Sequence, residues 1–144
     1  MTYIKELRKR AGDLPLILVR PTMILENRDK EILLVQYMTG TWGLPGGLME
    51  PGETTEETII RELKEELNIE VQETKLLTVL SGMSYYKKSN RGIESYYLTP
   101  LYFTNSYKGT IKEDNDEIKD FGFFCLDRLP HVVTEIDKKV IEEF

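Results

Sequence analysis

Thr54-Thr55-Glu56-Glu57-Thr58-Ile59-Ile60-Arg61-Glu62-Leu63-Lys64-Glu65-Glu66-Leu67-Asn68 reads as a helix with both ends marked. Thr54 is a residue type that caps an N-terminus, and Glu57 three positions later completes a capping box. Ile59, Ile60, Leu63 and Leu67 recur at the helical period and give one apolar stripe. Asn68 suits the left-handed position that ends many helices. At about 100° per residue, with Glu62 at 0°, Glu66 falls near 40° and Glu65 near −60°. The apolar stripe lies beside this carboxylate arc and not opposite it. Glutamates at such spacings repel one another. They form either an acidic solvated face or a site for a hard divalent cation, which takes oxygen ligands.

The sequence just ahead favours a site. Thr39 to Gly52 is dense in glycine and proline, the composition of a shaped loop. Gly46-Gly47 lets backbone approach a ligand closely. Glu53 stands where its charge meets the positive end of the helix dipole. Arg61, at about −100°, lies near Glu65 and can orient a carboxylate by a forked contact.

Outward from this segment, Tyr3, Ile4, Leu7 and Ala11 predict a first helix ended by Gly12, with Lys5, Arg8, Lys9 and Arg10 making it basic. Those cations are either a solvated face or a contact for an anionic substrate or partner subunit. Leu14 to Leu25 and Glu31 to Tyr37 predict two strands around a polar turn. Pro15 and Pro21 require an edge or a bulge in the first of them. Lys75 to Leu80, Ser95 to Phe103 and Phe121 to Leu126 predict further strands. Lys87 to Gly92 and Asn105 to Asp116 read as loops, and Thr134 to Phe144 as a last helix. Dispersed helices among strands predict an α/β (α+β) sandwich, a mixed sheet between helices, in one domain covering residues 1–144.

The bulk properties bound the function. Of 144 residues, 40% are hydrophobic and 31% charged, enough apolar material for a core. The net charge of −6 disfavours sequence-independent nucleic-acid binding. No apolar run is long enough to span a bilayer, and residues 1–10 lack the pattern of a signal peptide. The single cysteine, Cys125, fits a reducing compartment and reads as a core residue in a strand. A cytoplasmic protein without a nucleic-acid or membrane partner is expected. The lone histidine, His131, argues against a Ser-His-Asp or zinc-histidine site.

Gly47 to Ile69 resembles the box of the Nudix hydrolases (the MutT-like family). That pattern is Gly, five residues, Glu, seven residues, then Arg-Glu-apolar-any-Glu-Glu-any-Gly-apolar. Gly47, Glu53, Arg61, Glu62, Glu65, Glu66 and Ile69 meet it, and Asn68 stands where the family has glycine. Trp42-Gly43-Leu44-Pro45-Gly46-Gly47 resembles the usual lead-in, with Trp42 packing at the loop base. Glu117 through Phe124 to Leu129-Pro130 resembles the usual late strand and turn. The resemblance implies a single Nudix domain that cleaves a phosphoanhydride bond in a nucleoside diphosphate derivative. Nucleoside triphosphates, nucleotide sugars and dinucleoside polyphosphates are the substrate classes it leaves open. It implies Mg²⁺ or Mn²⁺ on Glu62, Glu65 and Glu66, with a carbonyl of Gly46 or Gly47, with Glu53 as a further metal-site residue, and with Glu53 and Arg61 in support. Glu117 is the choice for the acid from outside the box, as base or extra ligand, beside Asp116 and Glu113 in the same run.

Substrate cues lie outside the box. Ser84 replaces the proline that accompanies ADP-ribose hydrolysis in some branches. Tyr85 and Tyr86 fall near a tyrosine of branches that cut dinucleoside polyphosphates, and either stack on a base or pack in the sheet. Arg20, with Arg28, Lys87, Lys88 and Arg91, is a candidate for phosphate contact or simply a surface charge. A homodimer is compatible with the resemblance. Two rival readings are a nucleotide-binding sensor that keeps the fold without catalysis, and an isomerase of isoprenoid diphosphates. The box acids are all present, against the sensor, and Cys125 lies too late in the chain for the isomerase pattern.

Overall fold

In the computed structural model, which describes residues 2–144, the central element is an eleven-residue strand. The chain runs α1 (Thr2–Ala11), β1 (Leu16–Val19), β2 (Thr22–Leu25), β3 (Ile32–Tyr37), β4 (Trp42–Gly43), α2 (Thr55–Leu67), β5 (Glu70–Val71) and β6 (Lys75–Leu80). A 3-10 turn (Met83–Tyr85), β7 (Tyr86–Lys88), β8 (Glu94–Thr104), β9 (Tyr107–Lys108), β10 (Ile118–Phe124) and α3 (Glu135–Glu143) follow.

β8 organises a mixed sheet. β1 and then β2 run parallel to its two halves, with Leu16 opposite Ser95 and Thr22 opposite Leu101. β7 and β6 pair antiparallel with it on the other edge. A second, antiparallel sheet has the order β10-β3-β4, and β5 and β9 form a short ribbon. The mixed sheet expected from the sequence is therefore present, joined by two smaller sheets. The run Leu14 to Leu25 is two strands and not one. Pairing with β8 is interrupted at Arg20-Pro21 and resumes at Thr22 in the same register, with Pro21 facing the 45–49 loop on the other edge. β10 starts and ends earlier than expected, which leaves Cys125 just past the strand, half-buried, with its Sγ 3.8 Å from Glu31 Oε2. Both stretches read as loops contain short strands, β7 and β9.

Side-chain alternation along the strands creates two cores. Met23 and Leu25 of β2 and Leu33 and Val35 of β3 pack with Ile59, Leu63 and Leu67 of α2. Their neighbours Ile24, Ile32 and Leu34 point the other way and pack with Val140 and Ile141 of α3. Strands between two helices make the α/β/α layering. α1 lays Ile4, Leu7 and Ala11 on Leu16 and Leu18, and Gly12 ends it with a φ of 61°. Among the described residues no helix is long and apolar enough to cross a membrane.

Candidate active site

α2 forms as its sequence dictates. The Thr54 side chain accepts a hydrogen bond from the Glu57 N–H, and Asn68 caps the other end at φ 59°, ψ 31°, its N–H bonding to the Lys64 carbonyl. The helix is amphipathic with an unusual margin: Glu62 and Glu66 are buried alongside its apolar stripe, each 5% exposed. Glu65, on the far side of Glu62 from that stripe, leaves 60% of its side chain in solvent.

A third carboxylate arrives from another element. Carboxylate oxygens of Glu62, Glu66 and Glu117 lie within 4.8 Å of one another. The segment before β10 is tied to the C-terminal end of α2: Lys112 N–H bonds to the Leu67 carbonyl at 3.0 Å and Asp114 N–H to the Glu66 carbonyl at 3.1 Å. Asp114 Oδ1 then accepts from the N–H groups of Asp116, Glu117 and Ile118. That Asx turn fixes the backbone that carries Glu117. A register shift between Ile118 and Asp120 immediately follows, a bulge of the kind found beside functional sites.

Electrostatics show what the cluster lacks. Burial, opposed by Arg61 and reinforced by Glu65 and Glu117, pushes the Glu62 carboxyl up to about 7. Burial, with Glu62 and Glu117 adding repulsion, pushes Glu66 up to about 9. Glu66 Oε1 is buried without a hydrogen-bond partner. Three converging carboxylates, one with an orphaned oxygen, are a donor set of the hard-oxygen kind that Mg²⁺ or Mn²⁺ takes.

The supporting residues are held tightly. Glu53 accepts from Glu50 N–H, from Thr58 Oγ1 and from two nitrogens of Arg61, at 2.6 to 3.0 Å. The Arg61 bond is the largest of the influences holding its carboxyl down at about 2. With both oxygens engaged, Glu53 anchors Arg61 and is not placed as a metal ligand. Arg61 in turn donates to Glu62 Oε1 at 3.0 Å and to Glu65 Oε2 at 3.3 Å. This fork sets the orientation of the Glu62 carboxylate.

The glycines are explained by space. A methyl group at Gly47 would fall on the Glu62 carboxylate, and one at Gly46 would press on the Pro21 carbonyl at 2.6 Å. Gly47 N–H reaches that same carbonyl at 3.3 Å, and Thr22 bridges to Gly46. The loop is thus seated in the break between β1 and β2.

The substrate candidates are arranged differently from their sequence reading. Tyr85 is 6% exposed and packs in the core with Val140 and Ile141, leaving no face for a base. Tyr86 stacks at a tilt on Tyr96, ring centres 4.9 Å apart. Arg20 is internal: it donates to Thr22 Oγ1 at 3.0 Å, Tyr37 OH at 3.1 Å and the Leu44 carbonyl at 3.3 Å, and pairs with Asp137 at 3.6 Å. Burial opposes its charge, while Tyr37, Asp137 and Glu66 hold it protonated. Its position steadies the loop that leads to Gly46. Asp116 is exposed beside the Asp114 turn, and Arg28 and His131 lie at the surface. Trp42 packs edge-on to Phe124 at 5.2 Å, at the base of the loop as expected. Sequence reasoning missed Asp114 and Asp137. The first carries a signal, an aspartate opening Asp114-Asn115-Asp116, and the second carries none, because its partner Arg20 is distant in the chain.

Comparison with known proteins shows the family and the fold. Residues 18–144 match the profile of the NUDIX domain. An ADP-ribose pyrophosphatase of Methanocaldococcus jannaschii is 30% identical over 81% of this chain and 67% of its own length. The matches to the next two curated relatives span 59% and 48% of those proteins. The crystal structure of a MutT NUDIX hydrolase from Burkholderia pseudomallei superposes with a TM-score of 0.75 at 28% identity, covering 88% of this chain and 96% of that one. An ADP-ribose pyrophosphatase from Streptococcus suis 89-1591 gives a TM-score of 0.61 at 26% identity, covering 88% and 90%. With the profile spanning most of its length and the glutamate-bearing helix at its centre, this chain belongs to the NUDIX domain family.

Proposed function

We propose that this chain is a divalent-metal-dependent pyrophosphohydrolase that cleaves a phosphoanhydride bond in a nucleoside diphosphate derivative. The observation that carries the reading is the convergence of Glu62, Glu66 and Glu117 within 4.8 Å. Glu62 and Glu66 are the ligands proposed for Mg²⁺ or Mn²⁺, with Glu65 close by on the same helix, Gly47 against Glu62 and Glu117 opposite them. A bound divalent cation supplies charge neutralisation for the diphosphate and acidifies the attacking water.

The protein's own contribution is positioning, which dominates phosphoryl transfer. Arg61 orients Glu62 and is itself held by Glu53. Gly47 leaves room for the Glu62 carboxylate. Glu117, exposed at the rim, is the residue proposed to take the proton from water. The reaction is nucleoside diphosphate linked to X, plus water, giving nucleoside monophosphate and X-phosphate.

The relatives from M. jannaschii and S. suis bear the name ADP-ribose pyrophosphatase, which makes ADP-ribose the first compound to assay. The proposal takes residues 1–144 as one Nudix domain, working in the cytoplasm on a small nucleotide. The test is turnover of nucleoside diphosphate derivatives with Mg²⁺ or Mn²⁺, alongside Glu66→Gln. Loss of turnover in the variant supports the mechanism. Full activity in the variant overturns it, and binding without turnover in the wild type makes the chain a nucleotide sensor.

A further inference from the structure

α1 and the segment after the 3-10 turn meet at a cavity of about 200 Å³, lined by Arg8, Lys87, Ser89, Ile93, Ser95 and Tyr97. It shares no residue with the carboxylate cluster. Arg8 Nη2 donates to the Ser95 hydroxyl at 2.7 Å, and Ser95 is itself buried. That bond points the guanidinium inward, and Arg8 Nη1 is buried with no hydrogen-bond partner. A buried, charged N–H group without an acceptor is costly, so the arrangement lacks an acceptor. Among the described residues neither Arg8 nor Lys87 takes part in an ion pair. Two unpaired cations and two serines therefore face one cavity in a chain of net charge −6.

We propose that this cavity is a second, phosphate-binding site, holding a phosphate group between the Arg8 guanidinium, the Lys87 ammonium and the hydroxyls of Ser89 and Ser95. Arginine supplies a planar fork and lysine a mobile point charge, the usual pairing for a phosphate. The volume is below the about 300 Å³ at which pockets for whole small molecules begin, so the ligand is a phosphate or a phosphorylated end and not an entire nucleotide. Tyr97, which packs both against α1 and toward the α3 core, forms the wall on the inner side.

Inorganic phosphate in chelator, without substrate, is the probe. Titration calorimetry then reads binding with no turnover, so a failed hydrolase reading and a failed phosphate site give separate results. Saturable binding is expected, weakened about tenfold by Lys87→Gln and by Arg8→Gln, each of which removes one charged donor. Lys87 is exposed, so its variant folds regardless of what Arg8 contributes to packing. Arg8→Lys should recover part of the affinity. Kinetics with a hydrolysed nucleotide separate two sources of the phosphate. A rise in KM confined to substrates with an extra terminal phosphate identifies the substrate's own end. A phosphate effect on rate that Lys87→Gln abolishes identifies a free anion. Absence of saturable binding, or equal affinity in both glutamine variants and the wild type, overturns the proposal.

Discussion

Glu66→Gln should make the metal-free protein more stable while removing its activity. Glu66 is 5% exposed, beside Glu62 and Glu117, and one of its oxygens has no partner. Its carboxyl is raised from 4.5 to about 9. An acid whose folded-state pKa is raised makes the native state bind more protons than the unfolded state between those values. Stability therefore falls as pH rises through that window, by about 1.4 kcal/mol per pH unit. At pH 7.5 the folded state keeps a proton that the unfolded state has released, a penalty of about 4 kcal/mol over three units. Water at the exposed rim by Glu117 screens part of the repulsion, so about 2 kcal/mol is the expected gain from the uncharged isostere.

In a domain of this size about 2 kcal/mol raises Tm by roughly 4–8 °C. Thermal melts in chelator at pH 5 and pH 7.5 measure it. At pH 5 the gap should shrink to roughly 1–2 °C, because pH 5 lies only about half a unit above the unfolded-state value and little of the penalty has accrued. Millimolar Mg²⁺ should raise the wild type more than the variant and narrow the gap, since a ligand that binds only the folded state stabilises it. A variant that melts at or below the wild type in chelator at pH 7.5, or a gap equal at both pH values, would refute the account of a strained carboxylate cluster.

Substitutions at three further positions probe the same site and its helix. Arg61→Ala leaves Glu53 and Glu62 without their shared cation and should cost about 3 kcal/mol in denaturant unfolding; Arg61→Lys restores charge without the fork and should recover stability more than kcat. Gly47→Ala places a methyl group on the Glu62 carboxylate and should lower kcat/KM by about 100-fold at unchanged protein concentration and metal saturation, because the carboxylate must move by about 1 Å. Asn68→Gly removes a side chain from a φ of 59° and should add about 0.5–1 kcal/mol in thermal melts with activity unchanged.

The parts of this molecule legible in the sequence are those whose causes are local. Thr54 and Asn68 mark the ends of α2 through contacts within a few residues, and the structure has those contacts, although of the capping box only the Thr54 half forms, Glu57 N–H donating to Thr54 Oγ1. The alternation of Met23, Ile24 and Leu25 assigns each to a face, because strand geometry has a period of two. Even the different environments of Glu65 and Glu66 follow from their angles to the apolar stripe. What was not legible depends on tertiary approach. Arg20 reads in the sequence as a phosphate contact or a surface charge, yet Asp137 and Tyr37 come to it when α3 and β3 dock. Tyr85 reads as either stacking on a base or packing in the sheet, and only the docking of α3 over it decides for packing. Glu117 could be named only by resemblance, since the turn that carries it is tied to α2 by Lys112 and Asp114.

The least regular point of the sheet is also the one that builds the site. Had β1 and β2 been one strand, its ladder with β8 would have run unbroken from Leu16 to Leu25. The break falls at Arg20-Pro21 without a change of register, Val19 opposite Leu98 and Thr22 opposite Leu101, and Pro21, which has no N–H, turns that side of its backbone to the 45–49 loop and not to β8. The Pro21 carbonyl, on the edge that faces away from β8, accepts from Gly47 N–H, while Gly46 packs flat against Thr22. Arg20, one residue earlier, reaches the Leu44 carbonyl from the other side. Gly47 is thereby fixed where only a residue without a side chain leaves room for Glu62. The carboxylate arc on α2 supplies the charge, and the interrupted strand supplies the space in which that charge can be held.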